Sequence, residues 1–226
     1  MYHSNKKILG VLLLIITFLA ACGGGDESGV PMDSPLLDPA SATMNQSSPG
    51  LFQARFETTA GDFVIEVNKD WAPTGADRFY NLVSNGFYDG VAFFRVIEGF
   101  MAQFGIHGDP LVSASWQTSQ IPDDTPTQSN ARATVSFAMT SQPNSRTTQI
   151  FINFGDNSKL DSYGFAPFGT VTEGMDVVDQ LYSGYGEGAP QGTGPDQLRF
   201  TDEGNAYLRS EFPELDYVER ATIIGN

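Results

Sequence analysis

Cysteine is nearly missing: the 226 residues hold one, Cys22, and histidine occurs twice. A single thiol forms no disulfide within its own chain, and so few thiols and imidazoles exclude a Cys/His zinc site. A Ser-His-Asp or Cys-His arrangement would have to use His107, because His3 falls at the extreme N-terminus. Cations are scarce too. Twelve Lys and Arg face 27 Asp and Glu, for a net charge of −15. A nucleic-acid footprint needs clustered Lys and Arg, so nucleic acid is not an expected partner. No apolar run reaches the ~20 residues of a bilayer-spanning helix. What the chain does have is 40% hydrophobic and 12% aromatic residues, enough for a packed core. Its 24 Gly and 13 Pro suit short strands and turns better than a helical bundle.

The N-terminus reads as an address. Lys6 and Lys7 precede an apolar run over residues 8–21 that ends in small side chains, the pattern of a secretory signal. Leu19-Ala20-Ala21-Cys22-Gly23 resembles the lipobox of bacterial lipoproteins. That resemblance implies cleavage before Cys22, lipid attached to Cys22, and a protein held in the cell envelope by its anchor. Gly23 in place of Asp after the cysteine implies the periplasmic face of the outer membrane. Several acyl chains hold a protein stably where one alone is marginal. Residues 23–49 are rich in Gly, Ser, Pro and Asp without apolar period and predict a flexible tether. The expected organisation is a signal peptide over 1–21, lipidated cysteine and tether over 22–49, and a folded domain with an extended C-terminal segment over 50–226.

Period-two patterning begins at Phe52. Phe52, Ala54 and Phe56 alternate with polar residues, residues 58–62 supply a turn, and Phe63, Ile65 and Val67 continue the alternation. That predicts a hairpin. Pro73 suits a first helical turn, Phe79, Leu82 and Val83 form an apolar stripe, and Gly86 ends that helix. Strand-like runs follow at 92–96, 100–104, 134–139, 150–154 and 168–171, then a short helix at 175–182 and a last strand around Tyr217 to Ile223. Residues 105–132 read as a long polar loop anchored by Trp116 and Ile121, and 184–195 as another loop. Asp123 and Asp124 read as a solvated acidic face, and His107 as a loop histidine. Many short strands with few helices predict a barrel or sandwich.

The chemistry-bearing blocks lie on those strands. Phe93-Phe94-Arg95-Val96-Ile97-Glu98-Gly99-Phe100-Met101-Ala102-Gln103 resembles the signature of the cyclophilins. Thr134-Val135-Ser136-Phe137-Ala138-Met139, Gln149-Ile150-Phe151-Ile152-Asn153, Leu160-Asp161 and Phe168-Gly169-Thr170-Val171 are similar to its later blocks, in order, between about Phe52 and Tyr182. The resemblance implies a mainly β protein, a closed eight-stranded antiparallel barrel capped by two α-helices, with peptidyl-prolyl cis-trans isomerase activity. It implies Arg95, Phe100 and Gln103 as catalytic residues. It implies Met101, Thr140, Gln149, Phe151, Leu160 and Phe165 as substrate-binding ones, with no metal and no cofactor. The implied partners are proline-containing polypeptides of the envelope, met by a monomer.

Rotating an amide costs ~18–20 kcal/mol because resonance stiffens the C–N bond. No heavy-atom bond breaks, so a chain poor in Cys and His can still do the work. It needs only to bind the twisted amide better than either planar form. An apolar hollow would grip the proline ring, and a guanidinium would donate to the nitrogen whose lone pair returns on twisting.

The chain departs from the family in several places. Phe94 stands where the family has a histidine, Glu98 where it has a proline, and Phe104-Gly105 where it has Gly-Gly. Lys159 replaces the tryptophan that contacts cyclosporin, which predicts weak binding of that drug. The segment from Met139 to Pro143 is one residue shorter, and the chain after about Gly186 is longer than the family needs. Two readings without turnover stand beside the enzyme: a proline-peptide-binding chaperone or scaffold lipoprotein, and a structural envelope protein.

Overall fold

The computed structural model describes Met1 and residues 29–225. The signal segment, the lipobox and Cys22 lie outside the described residues. The hairpin is present: β1 (Leu51–Thr58) pairs antiparallel with β2 (Gly61–Asn68). Its alternation is realised in burial, with Phe52, Ala54, Phe56, Phe63, Ile65 and Val67 all pointing into the core. The remaining strands are β3 (Arg95–Ile97), β4 (Met101–Phe104), β5 (Thr134–Phe137), β6 (Ile150–Asn153), β7 (Pro167–Glu173) and β8 (Val218–Ile224). They form one sheet in the order β3-β4-β6-β5-β7-β2-β1-β8.

The sheet curls into a half-barrel rather than a closed one, which corrects the expected closure. Strands β3 and β8 are its two edges, and no ladder joins them among the described residues. They are linked instead through the segment before β3. Phe93 N–H donates to Asp216 O at 2.9 Å and Val218 N–H donates to Val91 O at 2.8 Å. Among the described residues a single bridge, Ala92 with Tyr217, forms there.

Four α-helices occur among the described residues, where two were expected. Helix α1 (Pro73–Ser84) and the short α3 (Met175–Val178) fall at the predicted places. The other two, α2 (Pro110–Trp116) and α4 (Gln197–Glu211), occupy stretches that read as loop or unassigned tail. Helix α4 is kinked at Gly204, whose φ of 64° and ψ of −155° leave the helical region. A side chain at Gly204 would run into the Gly108 carbonyl, so glycine lets α4 settle onto the loop before α2.

The expected tether is corrected for residues 29–49. Two short 3-10 turns, Pro35–Leu37 and Ala42–Met44, place Leu36 and Met44 in the main core. Trp116 Nε1 donates to Leu36 O at 2.8 Å, and Asn81 of α1 exchanges two hydrogen bonds with the Gln46 backbone. A few apolar side chains and satisfied backbone groups hold this segment, with no periodicity to announce it.

The acidic face is corrected too. Ala72 at the start of α1 has no capping side chain. Asp124 supplies the cap from a distance, accepting from Thr74 N at 3.1 Å and Gly75 N at 2.8 Å. Asp123 is ion-paired with Arg146. The loop histidine is buried: His107 Nδ1 accepts from Asp109 N at 2.9 Å, and burial lowers its pKa, so the ring is held neutral.

Candidate active site

Register builds the site. In the ladders, Arg95 on β3 stands opposite Gln103 on β4, and Gln103 stands opposite Phe151 on β6. These cross-strand neighbours put a guanidinium, a carboxamide and an aromatic ring side by side without any help from loops. Arg95 Nη1 donates to Gln103 Oε1 at 2.8 Å, and Gln103 Nε2 donates to Gln149 Oε1 at 2.8 Å. The chain of bonds fixes which way the Gln103 amide faces and thus the plane of the guanidinium.

Around that polar row lies an apolar hollow. Met101 and Phe151 are buried, and Phe165 meets Phe151 edge-on at 5.6 Å. Phe100 is half-buried, with the Arg95 guanidinium 6.0 Å and the Lys159 ammonium 5.5 Å from its ring centre. Arg95, Phe100, Met101, Gln103, Thr140, Gln149, Phe151, Leu160 and Phe165 all line one cavity of about 670 Å³. The nine catalytic and substrate-binding residues expected from the sequence therefore line the same space, and Cys22 lies outside the described residues. Thr140 sits on its rim in an exposed turn, with its N–H donating to Ser145 Oγ at 3.0 Å.

Sequence reasoning missed what holds this arrangement. Asn157 Nδ2 donates to Phe100 O and to Asn153 Oδ1, both at 2.8 Å. Asn130 Nδ2 donates to Asp161 Oδ1 at 2.8 Å and to Phe165 O at 2.9 Å. These buried amides tie the turns carrying Phe100, Leu160 and Phe165 to the sheet, and each is satisfied, as burial of a polar group demands. Burial acts to raise the Asp161 pKa, but hydrogen bonds from Ser129 and Asn130 outweigh it and leave the carboxyl below its usual range.

Two further features come from the C-terminal segment. Glu187 forms a bidentate pair with Arg95, with Nε to Oε1 at 2.6 Å and Nη2 to Oε2 at 2.7 Å. The hydrogen bonds from Arg95 hold the Glu187 carboxyl below the usual glutamate range. Helix α4 adds Gln197, Leu198 and Thr201 to the cavity wall. The helix is seated by a second apolar cluster in which Phe94, Phe200, Leu208 and Phe212 are buried together. Phe94 does not line the cavity. It lies underneath α4, which accounts for an apolar ring at that position.

The curled antiparallel sheet thus carries a fixed guanidinium beside an apolar hollow formed by Phe100, Met101, Phe151, Leu160 and Phe165. Residues 53–198 match the family described as "Cyclophilin type peptidyl-prolyl cis-trans isomerase/CLD". A protein of Dickeya dadantii named peptidyl-prolyl cis-trans isomerase A is 36% identical over 128 residues, 55% of this chain and 67% of its own. Peptidyl-prolyl cis-trans isomerase B of Escherichia coli is 35% identical over 133 residues, 56% of this chain and 81% of its own. A solved cyclophilin-type isomerase of Cryptosporidium parvum shares the fold with a TM-score of 0.56 at 18% identity, covering 78% of this chain and 99% of that one. A cyclophilin of Hirschia baltica does so with 0.55 at 20%, covering 78% and 75%. The chain belongs to the cyclophilin-type peptidyl-prolyl cis-trans isomerase family.

Proposed function

We propose that this protein accelerates cis-trans rotation about X-Pro bonds in exported polypeptides. The observation that carries the reading is the Arg95 guanidinium, fixed by Gln103 at the lip of the hollow formed by Phe100, Met101, Phe151, Leu160 and Phe165. Uncatalysed X-Pro isomerisation takes tens to hundreds of seconds, so a modest preference for the twisted amide is useful, at ~1.4 kcal/mol for each tenfold.

The hollow takes the proline ring out of water. On twisting, the prolyl nitrogen becomes pyramidal and regains its lone pair, and an N–H of Arg95 donates to it. That bond exists only in the twisted state, so it lowers the barrier without tightening the ground state. The donor is oriented before substrate arrives, which is electrostatic preorganisation. No proton is transferred and no intermediate is bonded to the protein, so Phe94 at the family's histidine position removes nothing the step requires.

The test is a coupled proteolysis assay on a proline tetrapeptide with the purified chain. Acceleration of the slow phase supports the reading. Peptide binding by titration with no change in rate would replace it with the binding-only scaffold.

We propose further that the protein works in the cell envelope as a monomer anchored through lipid on Cys22. The lipobox-like Leu19-Ala20-Ala21-Cys22 supports it. Mass spectrometry of the membrane-extracted protein is expected to find an acylated Cys22 at the new N-terminus, and Cys22→Ala to release the protein from membranes.

A further inference from the structure

We infer that Glu187 is a positioning residue for Arg95, and that the C-terminal strap carrying it is a working part of the active site. The inference rests on the isomerase reading above.

A guanidinium has five N–H donors. Glu187 takes the Nε–H and one Nη2–H of Arg95, and Gln103 takes one Nη1–H. The second Nη1–H rests against the weak acceptor Met101 Sδ at 3.9 Å, inside the hollow, and one N–H of Nη2 is left over. Arg95 lines the cavity and Glu187 does not, so the carboxylate grips the guanidinium from its outer edge and leaves the inner side to substrate. The two acceptors meet the fork along different edges. Together they fix both the plane of the guanidinium and its rotation within that plane, which Gln103 alone cannot do.

The carboxylate is itself held. Glu187 Oε1 also accepts from Gly188 N at 3.0 Å. Its backbone carbonyl accepts from Gly194 N at 2.9 Å, and Gly192 N donates to Gly188 O at 3.0 Å, closing the strap on itself. A side chain at Gly192 would collide with the Glu187 carbonyl, so the loop is folded tightly around this one residue. Beyond it, Asp196 caps α4 by accepting from Leu198 N at 2.8 Å, and Phe200 anchors the helix on Phe94. The pair is partly exposed, with side-chain accessibilities of 22% for Arg95 and 38% for Glu187, so solvent screens it, and the thermal midpoint measured beside kcat separates a role in catalysis from one in folding.

The experiment measures kcat and KM of the full chain and of Glu187→Ala, Glu187→Gln and Glu187→Asp on a prolyl peptide, together with the Arg95 Nε–Hε resonance in 15N spectra. We expect Glu187→Ala to lower kcat about fivefold to tenfold with KM and thermal midpoint unchanged, since small misplacements of a catalytic group cost rate rather than binding. Glu187→Gln, which keeps the shape and one acceptor, falls between parent and Ala. The Arg95 Nε–Hε signal should be sharp and downfield in the parent and broadened in Glu187→Ala. A kcat equal to or above the parent's in Glu187→Ala, or an unchanged Arg95 signal, overturns the inference; a rise in kcat would make the grip inhibitory. An inert parent chain contradicts the isomerase reading separately, and the Arg95 resonance then decides alone whether Glu187 holds the guanidinium.

Discussion

Phe94 lies edge-on against Phe200, with ring centres 5.8 Å apart. One ring sits just before Arg95 in sequence and the other on α4, so this contact fastens the C-terminal segment to the site. Phe200→Ala removes a fully buried ring from the smaller of two apolar clusters. Such a change costs ~3–5 kcal/mol. Because the cluster is separate from the main core, the loss should appear as local opening. Hydrogen exchange is expected to show α4 and the strap deprotected in Phe200→Ala while β1 and β2 stay protected.

The N-terminal segment makes a second prediction. Leu36 is buried in the main core and its carbonyl accepts the Trp116 indole N–H. Leu36→Ala should destabilise the protein by ~2–4 kcal/mol, read as a lowered urea midpoint with unchanged slope. A tether would give no change.

Lys159 predicts a pharmacological difference. Its ammonium stands 5.5 Å from the centre of the Phe100 ring, which lines the cavity. Cyclosporin should bind this chain weakly, and Lys159→Trp should tighten binding about tenfold or more, measured by fluorescence titration.

His107 predicts the pH dependence of stability. Burial among Phe87 and neighbouring backbone depresses its folded pKa, while the unfolded value is about 6.5. Below that value the unfolded chain takes up a proton that the folded chain refuses. Stability is therefore full above about pH 6.5 and falls as pH drops toward the depressed folded value, by up to ~1.4 kcal/mol per pH unit. Asp77, Asp161 and Asp179, whose folded pKa values are lowered, add their losses only at lower pH. The urea midpoint should drop between pH 7.5 and 5.5, and His107→Gln, which can still accept the Asp109 N–H, should flatten that slope.

These predictions divide along the line between what local sequence encodes and what only the fold brings together. The β1–β2 hairpin was readable because Phe52, Phe56, Phe63 and Ile65 repeat every second residue. The hollow was readable because Arg95, Gln103 and Phe151 are ladder neighbours carried on recognisable strand blocks. Glu187 was not, since one acid in a Gly- and Pro-rich loop gives no sign of meeting Arg95, 92 positions earlier. Asp124 capping α1 from 49 and 50 residues away is the same kind of contact. Helix α4 was hidden by Gly204 inside it and by an apolar face reduced to Phe200, Tyr207 and Leu208. Residues 29–49 misled for a different reason: two 3-10 turns need no apolar period, only Leu36 and Met44 in the right places.

Arg95→Ala, assayed for turnover and for peptide affinity on the same preparation, tests the central claim most directly. The account predicts that kcat/KM for a proline tetrapeptide falls by about 100-fold or more while peptide affinity, set by the hollow, stays close to that of the parent. Parent-level turnover in Arg95→Ala would contradict it.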